Sequence, residues 1–139
     1  MTVESIADPD VRAAFNTFPP RLRAPLLKLR GHILATAART PGVGALTETL
    51  KWREPAYLPS TPRTGTTIRI NAVKGADDLY AAYFHCQTTL VQTFRTLYPD
   101  TFIYEGNRAI ILSTRRRPQT TPLRHCIALA LTYHLSVRG

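Results

Sequence analysis

At 139 residues, 44% hydrophobic and 19% charged, the chain is long enough for one domain with a real core and too apolar to be disordered along its length. Its net charge of +9 favours anionic partners, and two cysteines argue against a secreted disulfide framework and for a reducing, cytoplasmic setting. No apolar run approaches the ~20 residues of a membrane-spanning helix, and the first residues carry acids rather than the basic-then-apolar order of a secretory signal.

In chain order, Asp8-Pro9-Asp10 predicts a helix start: a capping carboxylate, a ring whose missing N–H is not needed, and negative charge at the positive end of the dipole. This helix runs to about Phe15 or Thr17, and Phe18-Pro19-Pro20 breaks it. A second runs from about Leu22 to Arg39, with Leu22, Leu26, Leu29, Ile33 and Ala37 on one stripe and Arg23, Lys28, Arg30 and Arg39 off it, in solvent. Leu46 and Leu50, four apart, read as a short helix that stops near Trp52; Pro55 then pushes Glu54 toward extended backbone, and a strand begins near Ala56.

Ser60 to Gly65 is loop chemistry, and Thr66 to Val73 alternates as a half-buried strand. Leu79 to His85 is apolar on both faces and reads as the centre of a sheet. Cys86 to Tyr98 reads as a helix resting on Leu90, Phe94 and Leu97. Gly106-Asn107 then predicts a two-residue hairpin turn, with Glu105 opposite Arg108 and Ile103 opposite Ile110. Thr114-Arg115-Arg116-Arg117-Pro118 is a basic, solvated loop, and Pro122 opens a last helix with Leu123, Ile127, Ala130, Leu131 and Leu135 on its buried side. The order predicts a single α+β domain over residues 1–139, an antiparallel sheet of about five strands packed against helices.

Leu50-Lys51-Trp52-Arg53-Glu54-Pro55-Ala56-Tyr57, Thr67-Ile68-Arg69-Ile70, Tyr83-Phe84-His85-Cys86-Gln87-Thr88 and Tyr104-Glu105-Gly106-Asn107-Arg108-Ala109-Ile110 follow one another in a characteristic order. In these residues the chain resembles the YdhG-like family, a domain-of-unknown-function group of small bacterial proteins, from about Phe18 to Leu112. The resemblance implies an antiparallel sheet backed by helices. It also implies iron handling as an alternative function, because one branch is described as frataxin-like iron chaperones. A carboxylate-rich surface would then be expected, whereas the nine acids here are scattered, with only Asp77-Asp78 adjacent.

The chain has no P-loop, dinucleotide glycine fingerprint, HExxH or GxSxG, so no enzyme class with a local signature is supported, and no catalytic residue, metal ligand or cofactor is assigned. The reading that leads is a binding module for a small anionic or aromatic ligand at the Trp52 hinge. Lys51, Arg53, Glu54, Arg69 and Arg108 line its pocket and Trp52, Tyr57 and Tyr80 form its floor, so that Trp52 and Arg69 share a cleft. Two further alternatives come from other classes. The triple arginine, with Arg63 and Arg124, could meet nucleic-acid phosphates, and Cys86, beside His85 at a helix start, could serve a thiol enzyme. The His85-Cys86 and His125-Cys126 pairs do not suit one metal ion, because neighbouring side chains diverge on a strand or a helix.

Overall fold

The computed structural model of the chain describes residues 2–138. A short 3-10 turn at Val3–Ser5 leads to α1 (Pro9–Thr17) and α2 (Pro20–Arg39). These are followed by β1 (Leu46–Lys51), β2 (Glu54–Pro59), β3 (Ile68–Ala72), β4 (Leu79–Tyr83), α3 (Leu90–Leu97), β5 (Ile103–Glu105), β6 (Ala109–Ser113), α4 (Thr120–Leu131) and α5 (Tyr133–Arg138). The strands form one antiparallel sheet, six-stranded among the described residues, in the order β1-β2-β3-β4-β6-β5. With helices on one face, this is the expected α+β class, and β4 is one of the two central strands. No helix among the described residues is long and apolar enough to cross a membrane.

Alternation along the strands sorts the side chains into two sets. Tyr57, Ile68, Ile70, Tyr80, Ala82, Ile110 and Leu112 join Val11 and Phe15 of α1, the Leu22–Leu26–Leu29–Ile33 stripe of α2, and Leu123, Ile127 and Leu131 of α4 in the main core. Ala81, Ala109 and Ile111 form a small second cluster with Val73, Leu79 and Tyr83 on the other face. The cap of α1 is as the sequence predicts: Asp8 Oδ1 accepts from the backbone N–H groups of Asp10 (2.8 Å) and Val11 (3.0 Å).

Four expectations are corrected, each for a physical reason. The segment ending at Trp52 is the strand β1, which accounts for the sixth strand. Leu46 and Leu50 share a face of a strand as readily as of a helix, and the β-branched Thr47 and Thr49 between them favour the strand. Trp52 and Arg53 are the two central residues of a tight β1–β2 turn, with φ of 55° and 64°, while Lys51 pairs with Glu54. Arg30, expected in solvent, is 7% exposed. Its Nη2 donates to Glu48 Oε1 at 2.9 Å and its Nε to Oε2, and Tyr57 Oη donates to the same Oε2 at 2.7 Å.

The β5–β6 connection has three residues rather than two, so Glu105 pairs with Ala109 and Ile103 with Ile111. Gly106 supplies the left-handed φ of 53°. Asn107 is drawn out of the turn by donating to the carbonyls of Cys86 (2.7 Å) and Thr88 (3.1 Å). The expected Glu105–Arg108 ion pair survives the slip at 3.1 Å.

The last helix breaks after Leu131, leaving Leu135 exposed. The carbonyl of Thr64 accepts from the N–H groups of His134 (3.1 Å) and Leu135 (3.3 Å), and Thr66 N donates to Ala130 O. Gly65 is obligatory in this clasp, since a Cβ there would lie 2.1 Å from the carbonyl oxygen of Leu131.

Two stability experiments follow. Replacing Trp52-Arg53 by Asn-Gly, residues at ease with φ > 0, is expected to raise unfolding free energy by roughly 1–2 kcal/mol; unchanged stability in urea would show that the turn carries no strain. Glu48→Ala removes the carboxylate from a buried guanidinium and is expected to cost about 3–5 kcal/mol. A loss below about 1 kcal/mol, the size seen for an exposed pair, would overturn that assignment.

Candidate functional site

The residues expected to form a pocket at Trp52 fall on different sides of the sheet. Lys51, Glu54 and Arg69 lie on the outer face. Tyr57 and Tyr80 point into the helix layer, so no single pocket holds both groups. Tyr57 is sealed at 0% exposure, and burial together with its hydrogen bond to Glu48 raises its hydroxyl pKa far above the ordinary phenol value.

Glu54 accepts from Arg69 Nη1 (2.8 Å) on one oxygen and from Asn71 Nδ2 (2.9 Å) on the other. Arg69 and Arg108 stand 5.8 and 5.6 Å from the ring centre of Tyr83. The structure therefore brings Glu54, Arg69 and Arg108 together around Tyr83, as a charge-balanced patch on the outer face. Trp52 is 85% exposed at the turn, with exposed Lys51 and Arg53 beside it. None of these residues lines any of the three main clefts.

A partly enclosed concavity lies elsewhere, where α2, the end of β6, the 114–119 connection and the start of α4 meet. It is a cleft of about 440 Å³. On α2, Pro25, Lys28, Leu29 and His32 recur at helical spacing and so face one side. Tyr80 and Leu112, cross-strand partners on β4 and β6, form the floor with Leu29 and Leu123, all four buried. Lys28, Arg116, Arg117 and Thr120 stand exposed around the mouth, and no carboxylate is among the lining residues.

The arginine run is the exposed loop its composition suggests, and it also borders this cleft. Thr114 N donates to Asp78 O (2.9 Å), and Arg115 Nε is 3.1 Å from Asp78 Oδ2. The run is thereby pinned to the β3–β4 turn, with Arg115 engaged there while Arg116 and Arg117 border the cleft. The same two arginines and Pro118 also border a neighbouring hollow of about 380 Å³, walled by Phe102, Ile103 and Ile111.

His32 sits half-buried in the main cleft and accepts at Nδ1 from Arg124 Nε at 3.1 Å, which leaves the proton of the neutral ring on Nε2. Burial, and secondarily the Arg124 charge, lower its pKa from the ordinary 6.5. Tyr80 is 3% exposed and no described residue bonds its hydroxyl, whose pKa burial raises. At neutral pH the cleft therefore presents exposed cations at the mouth, a neutral imidazole in the wall and a protonated phenol at the floor.

Sequence reasoning missed this site. It grouped Tyr80 with the Trp52 pocket on the other side of the sheet, and although the exposure it gave Lys28 and the arginine loop is as observed, it did not bring them together. The usable signal was the four-residue spacing of Lys28 and His32 on a face without acids, together with a basic run just ahead of a helix.

The cysteine and metal alternatives are also placed. Cys86 is exposed in the turn ahead of α3, four residues before its first helical residue rather than at the helix start. Cys126 is buried, which pushes its thiol up to about 12. His85 Nδ1 accepts from Gln87 N, while His125 Nδ1 and Tyr98 Oη lie 2.6 Å apart. Among the described residues no three His, Cys, Asp or Glu side chains gather as a metal site would require. Comparison of the chain with protein-family models, with curated proteins and with solved structures finds no match.

The His32 geometry has a measurable consequence. A histidine whose folded pKa is depressed withholds stability as pH falls: the loss begins below about 6.5 and is complete below the folded midpoint. An NMR titration is expected to place the His32 midpoint below 6.5, with Arg124→Ala moving it upward. A midpoint at or above 6.5 in the parent protein would overturn the assignment.

Proposed function

We propose that this protein is a binding module for a small anionic ligand with an apolar or aromatic body, seated in the cleft between α2 and α4. The observation that carries the reading is a concave site with Lys28, Arg116 and Arg117 at its mouth, no acid in its lining, and a floor of Leu29, Leu112, Leu123 and the Tyr80 ring. Cations around a low-dielectric hollow favour a carboxylate or phosphate, and the apolar floor gains from covering a ring. Several basic residues elsewhere have carboxylates beside them, as in Arg69–Glu54, Arg108–Glu105 and Arg115–Asp78, whereas the lining of this cleft contains none.

The ligand class is the one expected from the sequence, but the place is different. The carboxylate and guanidinium beneath the Trp52 turn already bond each other, which argues against an anion being held there. Membership of the YdhG-like group and a cytoplasmic location remain proposals. The antiparallel sheet backed by helices supports the first, and the two unbridged cysteines support the second.

Phenyl phosphate is a suitable probe, followed by calorimetry or by thermal shift. It is expected to bind with an affinity that falls as NaCl is added. Lys28→Ala and Arg117→Ala should each weaken it roughly tenfold through the loss of a charge-assisted contact, while Lys51→Ala leaves it unchanged. No binding, or equal binding by the Lys28 and Arg117 variants, would overturn the proposal.

A further inference from the structure

The floor of the cleft holds a polar group that no described residue bonds. Tyr80 is 97% removed from solvent, since its exposure is only 3%, and its hydroxyl has no hydrogen-bond partner among the described residues. Among those residues the fully sealed side-chain polar atom without a partner is Thr36 Oγ1. The Tyr80 hydroxyl is therefore not sealed, and of the three main clefts Tyr80 lines only the basic one. Tyr80 lines that cleft with Leu29, Leu112 and Leu123, all buried, while the cations that line it are exposed.

Buried tyrosines usually find a partner for the hydroxyl, and a phenylalanine would fill the same apolar floor without leaving an unmet polar group. We propose, on the anion-binding reading above, that the ligand of this cleft is polar at both ends. Lys28, Arg116 and Arg117 hold an anionic group at the mouth, a flat apolar body crosses the floor, and a hydroxyl or carbonyl oxygen at the far end hydrogen-bonds to Tyr80 Oη. Hydroxyaryl and oxo-substituted aryl or cyclic phosphates and carboxylates have this shape. A plain apolar anion leaves the phenol unmatched, and a site built around a polar group discriminates strongly against ligands that cannot meet it.

The test compares phenyl phosphate with 3- and 4-hydroxyphenyl phosphate on the parent protein and on Tyr80→Phe. In the parent, the better hydroxylated probe is expected to bind about tenfold more tightly than phenyl phosphate, the size of one neutral hydrogen bond gained in a buried site. In Tyr80→Phe that preference should vanish. The thermal midpoint should not fall, because the deleted hydroxyl has no partner among the described residues. A parent protein without the preference, or a preference that survives Tyr80→Phe, overturns this inference and leaves anion binding standing if phenyl phosphate still depends on Lys28 and Arg117. Failure of phenyl phosphate and both hydroxylated probes to bind overturns the two readings together.

Discussion

The Arg30–Glu48–Tyr57 cluster is the constraint on which the geometry of the domain rests. A guanidinium that is 7% exposed is met by a carboxylate in two places, and that carboxylate is in turn bonded by a sealed phenol. Removing one member leaves a desolvated group without its match, so the three positions act as one. They lie on α2, β1 and β2, and joining them sets the rotation of the longest helix over the edge of the sheet. On a helix, residues two apart point to nearly opposite sides. With Arg30 turned toward the β1–β2 hairpin, Lys28 and His32 turn toward the far side, where the cleft opens.

The other walls of the cleft depend on contacts made for different reasons. Tyr80 and Leu112 are on its floor because β4 and β6 are neighbours in the sheet, although α3 and β5 separate them in the chain. The arginine run reaches the mouth because Asp78, just ahead of β4, holds its first member beside the end of β6. Arg124 then approaches His32 from α4 and occupies the imidazole lone pair, so that the wall stays neutral beside the cations. These contributions come from segments far apart in sequence and have no common local signature.

The outer face of the sheet teaches a related lesson about charge. Glu54, Arg69, Asn71, Arg108 and Glu105 sit around Tyr83 with their donors and acceptors largely matched. Charges matched in this way brace a half-buried face and offer little to an incoming ion, whereas the cations around the cleft have no acid in the lining beside them. Residue type alone does not separate the two situations. Arg69 and Arg117 are equivalent in composition and differ in what the fold places next to them.

What the chain declares locally is the class of architecture, the cap at Asp8, the α2 stripe, the strand alternation of β3 and the apolar centre at β4, because each rests on the period of side chains along a few neighbouring residues. Where two periods coincide, as with Leu46 and Leu50, the spacing alone cannot choose between them, and pairing with β2 makes the choice. The three-residue β5–β6 connection, the break after Leu131 and the burial of Arg30 were likewise settled by distant partners: the carbonyls that Asn107 bonds, the clasp at Thr64 and Thr66, and the carboxylate of Glu48. The site belongs wholly to this second group, because a cleft exists only where surfaces from separate segments converge, and convergence is a property of packing rather than of any stretch of residues.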